Sequence, residues 1–156
     1  MTTGTQRLCR SIDTPVGQFT VVEAGGAIVM TGWRGPGGQD RSPLLDVAVE
    51  QLQAYFARRL QRFDLPVAPA GSAFELAVWQ GMCAIPYGET RTYADLAKVA
   101  GGVARAVGQA CGSNPIPIII PCHRVTGTHG LGGFSGGNGQ MTKRRLLGIE
   151  GALLAL

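Results

Sequence analysis

Residues 92–111 read TYADLAKVAGGVARAVGQAC, and this stretch narrows the possible folds more than any other. Thr92 to Asp95 match a capping box, a Ser/Thr followed three residues later by an acid, so a helix is expected to open there. Gly101-Gly102 can close that helix, because glycine takes the left-handed backbone a helix end needs. A further helix is expected from about Val103 to Cys111. Two short helices joined by a glycine turn predict a helix-turn-helix.

The second helix of such a pair reads sequence when it offers several long polar side chains to base edges. Here Ala104, Ala106, Gly108 and Ala110 are small, and only Arg105 and Gln109 can reach far. The face could approach a sugar-phosphate backbone closely but could hardly read base order. It would serve equally well as a small-residue face packed on another helix.

The rest of the chain supplies an apparent partner for this helical part. In 17–33, GQFTVVEAGGAIVMTGW, two short strands joined at Gly25-Gly26 are predicted, a hairpin signal. After a Gly/Pro loop, Ser42 caps a helix and Pro43 fits its first position. Leu45, Ala48, Val49, Leu52 and Phe56 recur at helical spacing, and this helix is expected to end near Leu60. FDLPVAPAG then looks like a linker. Helices are expected over 72–83 and, after a glycine-rich segment, over about 142–149. The organisation is therefore a strand-rich part at 1–65, a linker at 66–71 and a helical part at 72–156.

The 156 residues suit one ordinary domain or two small ones. A net charge of +4 permits a polyanionic partner without requiring one. The amino terminus is polar and lacks the apolar stretch of a secretory leader, and no apolar run reaches membrane-spanning length. A cytoplasmic protein with reduced thiols is expected. Cys9, Cys83, Cys111 and Cys122 form no CxxC pair, and His123 and His129 are the only histidines, so no metal site or cofactor is expected.

Chemistry concentrates at NPIPIIIPCHRV, residues 114–125. An extended run is expected to lead to Cys122. Its isoleucines would bury the thiol and push its pKa up, away from the reactive thiolate. An active Cys122 would need a base or positive charge, and His123 and Arg124 lie beside it. Neighbours in an extended chain point to opposite faces, so a water-bridged pair is expected rather than direct contact. A core cysteine with a carbonyl-capping histidine is the plainer alternative. Asn114 upstream and Glu150 downstream favour chemistry, since an acid can hold the imidazole in one tautomer.

The four blocks NPIPIIIPCHRV, IPYGETRTYADLA, ARAVGQA and GGFSGG…KRRLLGIEG, spaced correctly between about Phe74 and Gly151, resemble the O6-alkylguanine-DNA alkyltransferases, or methylated-DNA–protein-cysteine methyltransferases. The N-terminal part is similar to that family's first domain but less diagnostic. The resemblance implies an α/β (α+β) protein. It would comprise a ribonuclease-H-like N-terminal α/β domain and a winged-helix-like C-terminal domain with the helix-turn-helix. It implies minor-groove, sequence-independent binding of duplex DNA by a monomer, and flipping of the damaged guanine into a pocket. The alkyl group on O6 would pass irreversibly to Cys122, so that each molecule acts once; O4-alkylthymine would be a second candidate lesion. His123 would be the base through a water, Glu150 its orienter, Asn114 a hinge near the thiol, and Tyr93 a proton donor beside the flipped nucleotide. Arg105 would fill the vacated stack, with Ala104, Ala106, Gly108 and Thr92 against the backbone. The carbonyls of Cys122 and Val125 would accept from the guanine amino group, Ser135 would donate to O6, and Phe134 and Gly136 would wall the pocket. Two other readings stand beside this one. A non-catalytic DNA- or lesion-binding module would lack a use for Cys122. A thiol hydrolase would need an oxyanion hole, which no motif supplies.

Overall fold

The computed structural model describes residues 6–35 and 37–152. Three antiparallel strands open the chain: β1 (Arg7–Thr14), β2 (Gly17–Ala24) and β3 (Ala27–Gly32), in sheet order β1-β2-β3. The β2–β3 turn falls at Gly25-Gly26, both with positive φ (61° and 80°), as the hairpin signal requires. Strand β1 lies outside the two strands predicted from the sequence. Arg7 to Thr14 pair with β2 all along its length, and sheet position overrides their weak pattern.

Helix α1 (Pro43–Phe56) lies across β1 and β2. The Ser42 hydroxyl accepts from Leu45 N at 3.0 Å, and Asp46 in the first turn pairs with Arg10 of β1 at 2.7 Å. The helix stops at Phe56, short of the expected Leu60. Arg58 turns left-handed at φ 61°, and Arg59 N reaches back to Ala54 O, closing the helix end. Leu45, Ala48, Leu52 and Tyr55 face the sheet residues Phe19, Val21 and Ile28, and all are fully buried.

The segment expected as a linker is tied to the sheet. Ile28 N donates to Pro66 O and Ala68 N donates to Ile28 O, so residues 66–68 run along the free edge of β3. Helix α2 (Ala73–Cys83) follows, opened by a complete capping box between Ser72 and Glu75. A two-residue strand β4 (Arg91–Thr92) leads into α3 (Tyr93–Ala100), whose cap is the Thr92–Asp95 box and whose end is Gly101 at φ 78°. Helix α4 (Ala104–Gly112) completes the helix-turn-helix. A Cβ on Gly102 would come within 2.6 Å of the Phe74 ring, so the turn needs its second glycine to lie against α2. The Trp79 indole N–H, buried in α2, donates to Ala110 O at 2.9 Å and fixes α4 on α2. Strand β5 (Val125–Thr126) pairs parallel with β4, and α5 (Gln140–Ile149) closes the described chain.

The run before Cys122 is not extended, contrary to expectation. Pro115, Pro117 and Pro121 carry no N–H and cannot sustain a strand ladder. Instead Ile118 takes φ 72°, an unusual value for a β-branched residue, and Ile120 N donates to Ile116 O at 2.8 Å. Cys122–Arg124 form one turn of 3-10 helix. Asn114 ties the loop from inside: its Oδ1 accepts from Ile116 N and its Nδ2 donates to Ile120 O, both at 2.9 Å. Strand β3 holds the loop from outside, where Thr31 N donates to Pro115 O and the Thr31 hydroxyl to Pro117 O. Ile116, Ile118 and Ile120 thereby join a hydrophobic core shared by both halves of the chain.

Candidate active site and DNA interface

The thiol loop delivers Cys122 to the wall of a cleft of about 530 Å³, with Asn114, Pro117, Phe134 and Ser135 around it. Cys122 is 6% exposed, so its sulfur is nearly enclosed yet opens to this cleft. Burial pushes its pKa up; a hydrogen bond from Asn114 and the charge of Lys143 oppose that rise. An adjoining cleft of about 450 Å³ is lined by Tyr93, Gly108, Cys111, Gly133, Phe134 and Ser135. Phe134 and Ser135 stand between the two, at the mouth of each.

His123 bonds to Glu150 and not to the sulfur. Its Nε2 lies 2.7 Å from Glu150 Oε2, with both side chains fully buried. Glu150 also accepts from Arg124 Nε at 2.8 Å, from Arg124 Nη2 at 3.2 Å, and from the Tyr55 hydroxyl at 2.6 Å. Burial alone would raise the Glu150 pKa. The hydrogen bonds and charges of His123 and Arg124 outweigh it and hold the carboxyl down at about 2. Glu150 is therefore a carboxylate at neutral pH and accepts a hydrogen bond from His123 Nε2–H. Nδ1 is the ring nitrogen that this bond leaves free. Nδ1 is buried and has no hydrogen-bond partner among the described residues, so His123 makes no direct bond to Cys122. The backbone that carries the two residues is a 3-10 turn rather than the expected extended strand.

Pairing of β4 with β5 sets Arg91 opposite Val125 and Thr92 opposite Thr126, which brings Tyr93 to the thiol loop. The Thr92 hydroxyl accepts from Asp95 N as the α3 cap. The Tyr93 hydroxyl lies over Gly132, where a Cβ would come within 2.5 Å of it. Burial raises the Tyr93 pKa, so it remains a neutral donor at neutral pH. Ser135 is exposed at the mouth of both clefts, and Gly136 packs against the Trp33 ring, which a Cβ would meet at 2.3 Å.

On α4, Ala104 and Arg105 are exposed, Ala106 and Gly108 half-buried, and a Cβ on Gly108 would touch nothing within 4 Å. Arg105 forms no ion pair among the described residues. Val107 and Ala110, on the opposite side, are buried. The helix thus presents an open, small-residue surface carrying one long cation, a surface suited to a nucleic-acid backbone.

Three residues escaped the sequence reading. Lys143 is fully buried, donates to Val125 O at 2.6 Å and Gly133 O at 3.1 Å, and sits 5.7 Å from the Tyr93 ring centroid. Burial lowers its pKa to about 8, against the pull of Cys111 and Cys122. It clamps the two carbonyl-bearing segments that flank the clefts. Tyr55 reaches Glu150 across 95 positions. Cys111 lines both clefts, and burial raises its thiol to about 12. The KRR segment at 143–145 and the AYF helix end at 54–56 contain the first two, but no local pattern marks a lysine as buried or a tyrosine as a carboxylate's partner.

Family models match both halves of the chain. The one described as "6-O-methylguanine DNA methyltransferase, ribonuclease-like domain" covers residues 8–69, and its "DNA binding domain" counterpart covers 73–152. The chain belongs to the 6-O-methylguanine DNA methyltransferase family. It is 44% identical over 153 residues to a methylated-DNA–protein-cysteine methyltransferase of Mycobacterium bovis, covering 90% of each chain. Over 112 residues it is 46% identical to the constitutive methylated-DNA–protein-cysteine methyltransferase of Bacillus subtilis, covering 70% of this chain and 67% of that one. The crystal structure of Mycobacterium tuberculosis O6-methylguanine methyltransferase superposes with a TM-score of 0.84 at 39% identity over 94% of each chain. The structure of Mycobacterium tuberculosis OGT in complex with DNA gives 0.83 at 41% identity over 92% of each. Among the described residues no helix is long and apolar enough to cross a membrane, and no cluster of three or more His, Cys, Asp or Glu could hold a metal ion.

Proposed function

We propose that Cys122 is the alkyl acceptor of a single-use DNA repair protein. Direct repair by alkyl transfer from methylated DNA to a protein cysteine is the function of this family. The observation that carries the assignment is the enclosed Cys122 sulfur at the cleft wall, with an ionised Glu150 fixing the imidazole beside it. The remaining cysteines lack that combination.

In this reading a lesion-bearing guanine, flipped from duplex DNA, enters the Tyr93 cleft with O6 toward Cys122. A water takes the thiol proton and passes it to His123 Nδ1, the nitrogen that Glu150 leaves free. The sulfur attacks the O6-bound carbon: the S–C bond forms, the C–O bond breaks, and its electron pair goes to O6. Tyr93 and Ser135 donate hydrogen bonds to the developing anion, and the guanine leaves neutral after taking up a proton. The thioether is stable, so the protein is consumed. Asn114 steadies the sulfur, and Phe134 and Gly136 wall its cleft. The Val125 carbonyl, already accepting from Lys143, has a second lone pair for the guanine amino group.

Arg105 enters the stack the base has left, offsetting part of the few kcal/mol that extrusion costs. Ala104, Ala106 and Gly108 let α4 approach the minor groove, and Thr92 lies at the adjoining helix start. The weak base-reading capacity of α4 suits a protein that must find lesions in any sequence. We read the active form as a cytoplasmic monomer in two parts, 1–65 and 72–156, needing no cofactor or metal.

The deciding experiment is mass analysis after incubation with duplex DNA carrying O6-methylguanine. One methyl on the Cys122 peptide is expected; an unchanged peptide would overturn the reading. Cys122→Ser should keep DNA binding and transfer nothing. Binding without transfer by the unaltered protein would instead favour a lesion-binding module.

A further inference from the structure

The thiol loop borders a second cavity. Ile118, Ile119, Ile120 and Pro121 line a groove of about 530 Å³ whose lining does not include Cys122. Its other walls come from Phe63 and Leu65 in the segment after α1, and from Cys83 to Tyr87 at the end of α2. Phe63, Leu65, Tyr87 and Ile119 are only half-buried, so apolar surface stays open along it. The volume falls in the range of small-molecule sites, roughly 300–1,000 Å³.

The charges on this groove have one sign. Arg62 and Arg124 line it, and no Asp or Glu does. Arg62 is exposed and forms no ion pair among the described residues. Arg124 is 7% exposed, with its guanidinium 5.8 Å from the Tyr87 ring centroid. A guanidinium carries five N–H groups. Glu150 accepts from Nε and from Nη2, and Ile85 O accepts from Nη1. One N–H on each Nη therefore has no partner among the described residues. Donors left unspent on a buried cation favour an anion, because burying them unpaired is costly and charge-assisted bonds are strong. A bare ion such as phosphate would satisfy the arginines but leave the apolar walls wet.

We propose that this groove is a binding site for a small organic anion, a carboxylate carrying an apolar body of arylalkanoate size. The carboxylate meets Arg124 and Arg62, and the body covers Phe63, Leu65 and Ile119. The site also touches the chemistry of the loop. Arg124 is the cation that holds Glu150, and Glu150 holds His123. A second carboxylate on the same guanidinium weakens that hold and slows transfer to Cys122. This last consequence rests on the alkyl-transfer reading above, whereas the binding itself does not.

The test uses the full chain and three probes: 4-phenylbutyrate, 4-phenyl-1-butanol as the body without the charge, and inorganic phosphate as the charge without the body. Exposed Cys83 lines the groove and reports on occupancy, while Cys9 lies outside it. Labelling of each cysteine by iodoacetamide is followed by the mass of its peptide. Saturating phenylbutyrate should slow labelling of Cys83 at least fivefold and leave Cys9 within twofold. The alcohol and phosphate at the same concentration should change neither by more than twofold. Arg62→Glu, at an exposed position where folding is not at stake, should raise the phenylbutyrate concentration needed for protection at least fivefold. Unprotected Cys83, equal protection by the alcohol or by phosphate, or an unchanged concentration dependence in Arg62→Glu would overturn the site. Methyl transfer to Cys122 should fall at least threefold at saturating phenylbutyrate. Protection of Cys83 with an unchanged transfer rate would overturn the coupling through Arg124. Absence of methyl transfer without any probe would overturn the alkyl-transfer reading instead, and the labelling result would still decide the site.

Discussion

The outer face of α4 and the turn at Cys122–Arg124 are both cationic, yet they are built in opposite ways. Arg105 stands on an exposed helix with small neighbours and no ion pair among the described residues. Arg124 is 7% exposed and spends its guanidinium on Glu150 and on the Ile85 carbonyl. One cation is left free to meet a partner, and the other is consumed in holding the molecule. Side chains on the first surface can change without cost to folding, whereas in the turn chemistry and stability share the same atoms.

The strongest way to break this contrast is Arg124→Met. It would leave the Glu150 carboxylate buried with only Tyr55 and His123, and removing one partner of a buried ion pair costs about 3–5 kcal/mol. A urea midpoint unchanged from the parent would show that the turn is not structural. Next in size is Glu150→Gln. Loss of the acid that orients the base should slow transfer to Cys122 by about a hundredfold, in the range of general-base contributions. The same variant has a pH signature. Because folding lowers the Glu150 pKa from 4.5 to about 2, its contribution is present above pH 4.5 and is lost as pH falls toward 2. That contribution is on the order of 3 kcal/mol. Denaturation midpoints between pH 5 and pH 2.5 should fall more steeply for the parent than for Glu150→Gln.

Smaller effects sharpen the comparison. Lys143→Met leaves the Val125 and Gly133 carbonyls without their buried donor, at a cost of about 1–3 kcal/mol by chemical denaturation. It should also slow transfer, since the same charge supports the Cys122 thiolate. Arg105→Ala should shift stability by less than about 0.5 kcal/mol. Its transfer from duplex DNA should fall about tenfold, equivalent to about 1.4 kcal/mol of lost extrusion support, while transfer from a free O6-alkylguanine base stays level. Equal losses on both substrates would make Arg105 a structural residue and erase the contrast.

What could be read in advance follows the same division. The helix-turn-helix was legible because its signals are local: the Thr92–Asp95 box, the Gly101 end and the small face of α4 need only neighbouring residues. The hairpin at Gly25-Gly26 and the Ser42–Pro43 helix start were legible for the same reason. The thiol loop was misjudged as extended because its shape depends on Thr31 of β3 capturing proline carbonyls more than 80 positions away. Strand β1 depends on β2 for its hydrogen bonds, and the early end of α1 on one left-handed arginine. Lys143, Tyr55 and Trp33 become part of the site only through contacts that the folded chain creates.

The bond from Tyr55 to Glu150 joins α1 to the end of α5, and Thr31 joins β3 to the thiol loop. Neither half of the chain therefore contains a finished site. If the chain were severed near residue 70, the carboxylate would lose a donor and the proline loop its outer anchor, and both would return only when the pieces met again. Thiol reactivity in mixed fragments would then serve as a count of reunited molecules, an internal reporter of assembly written into the fold.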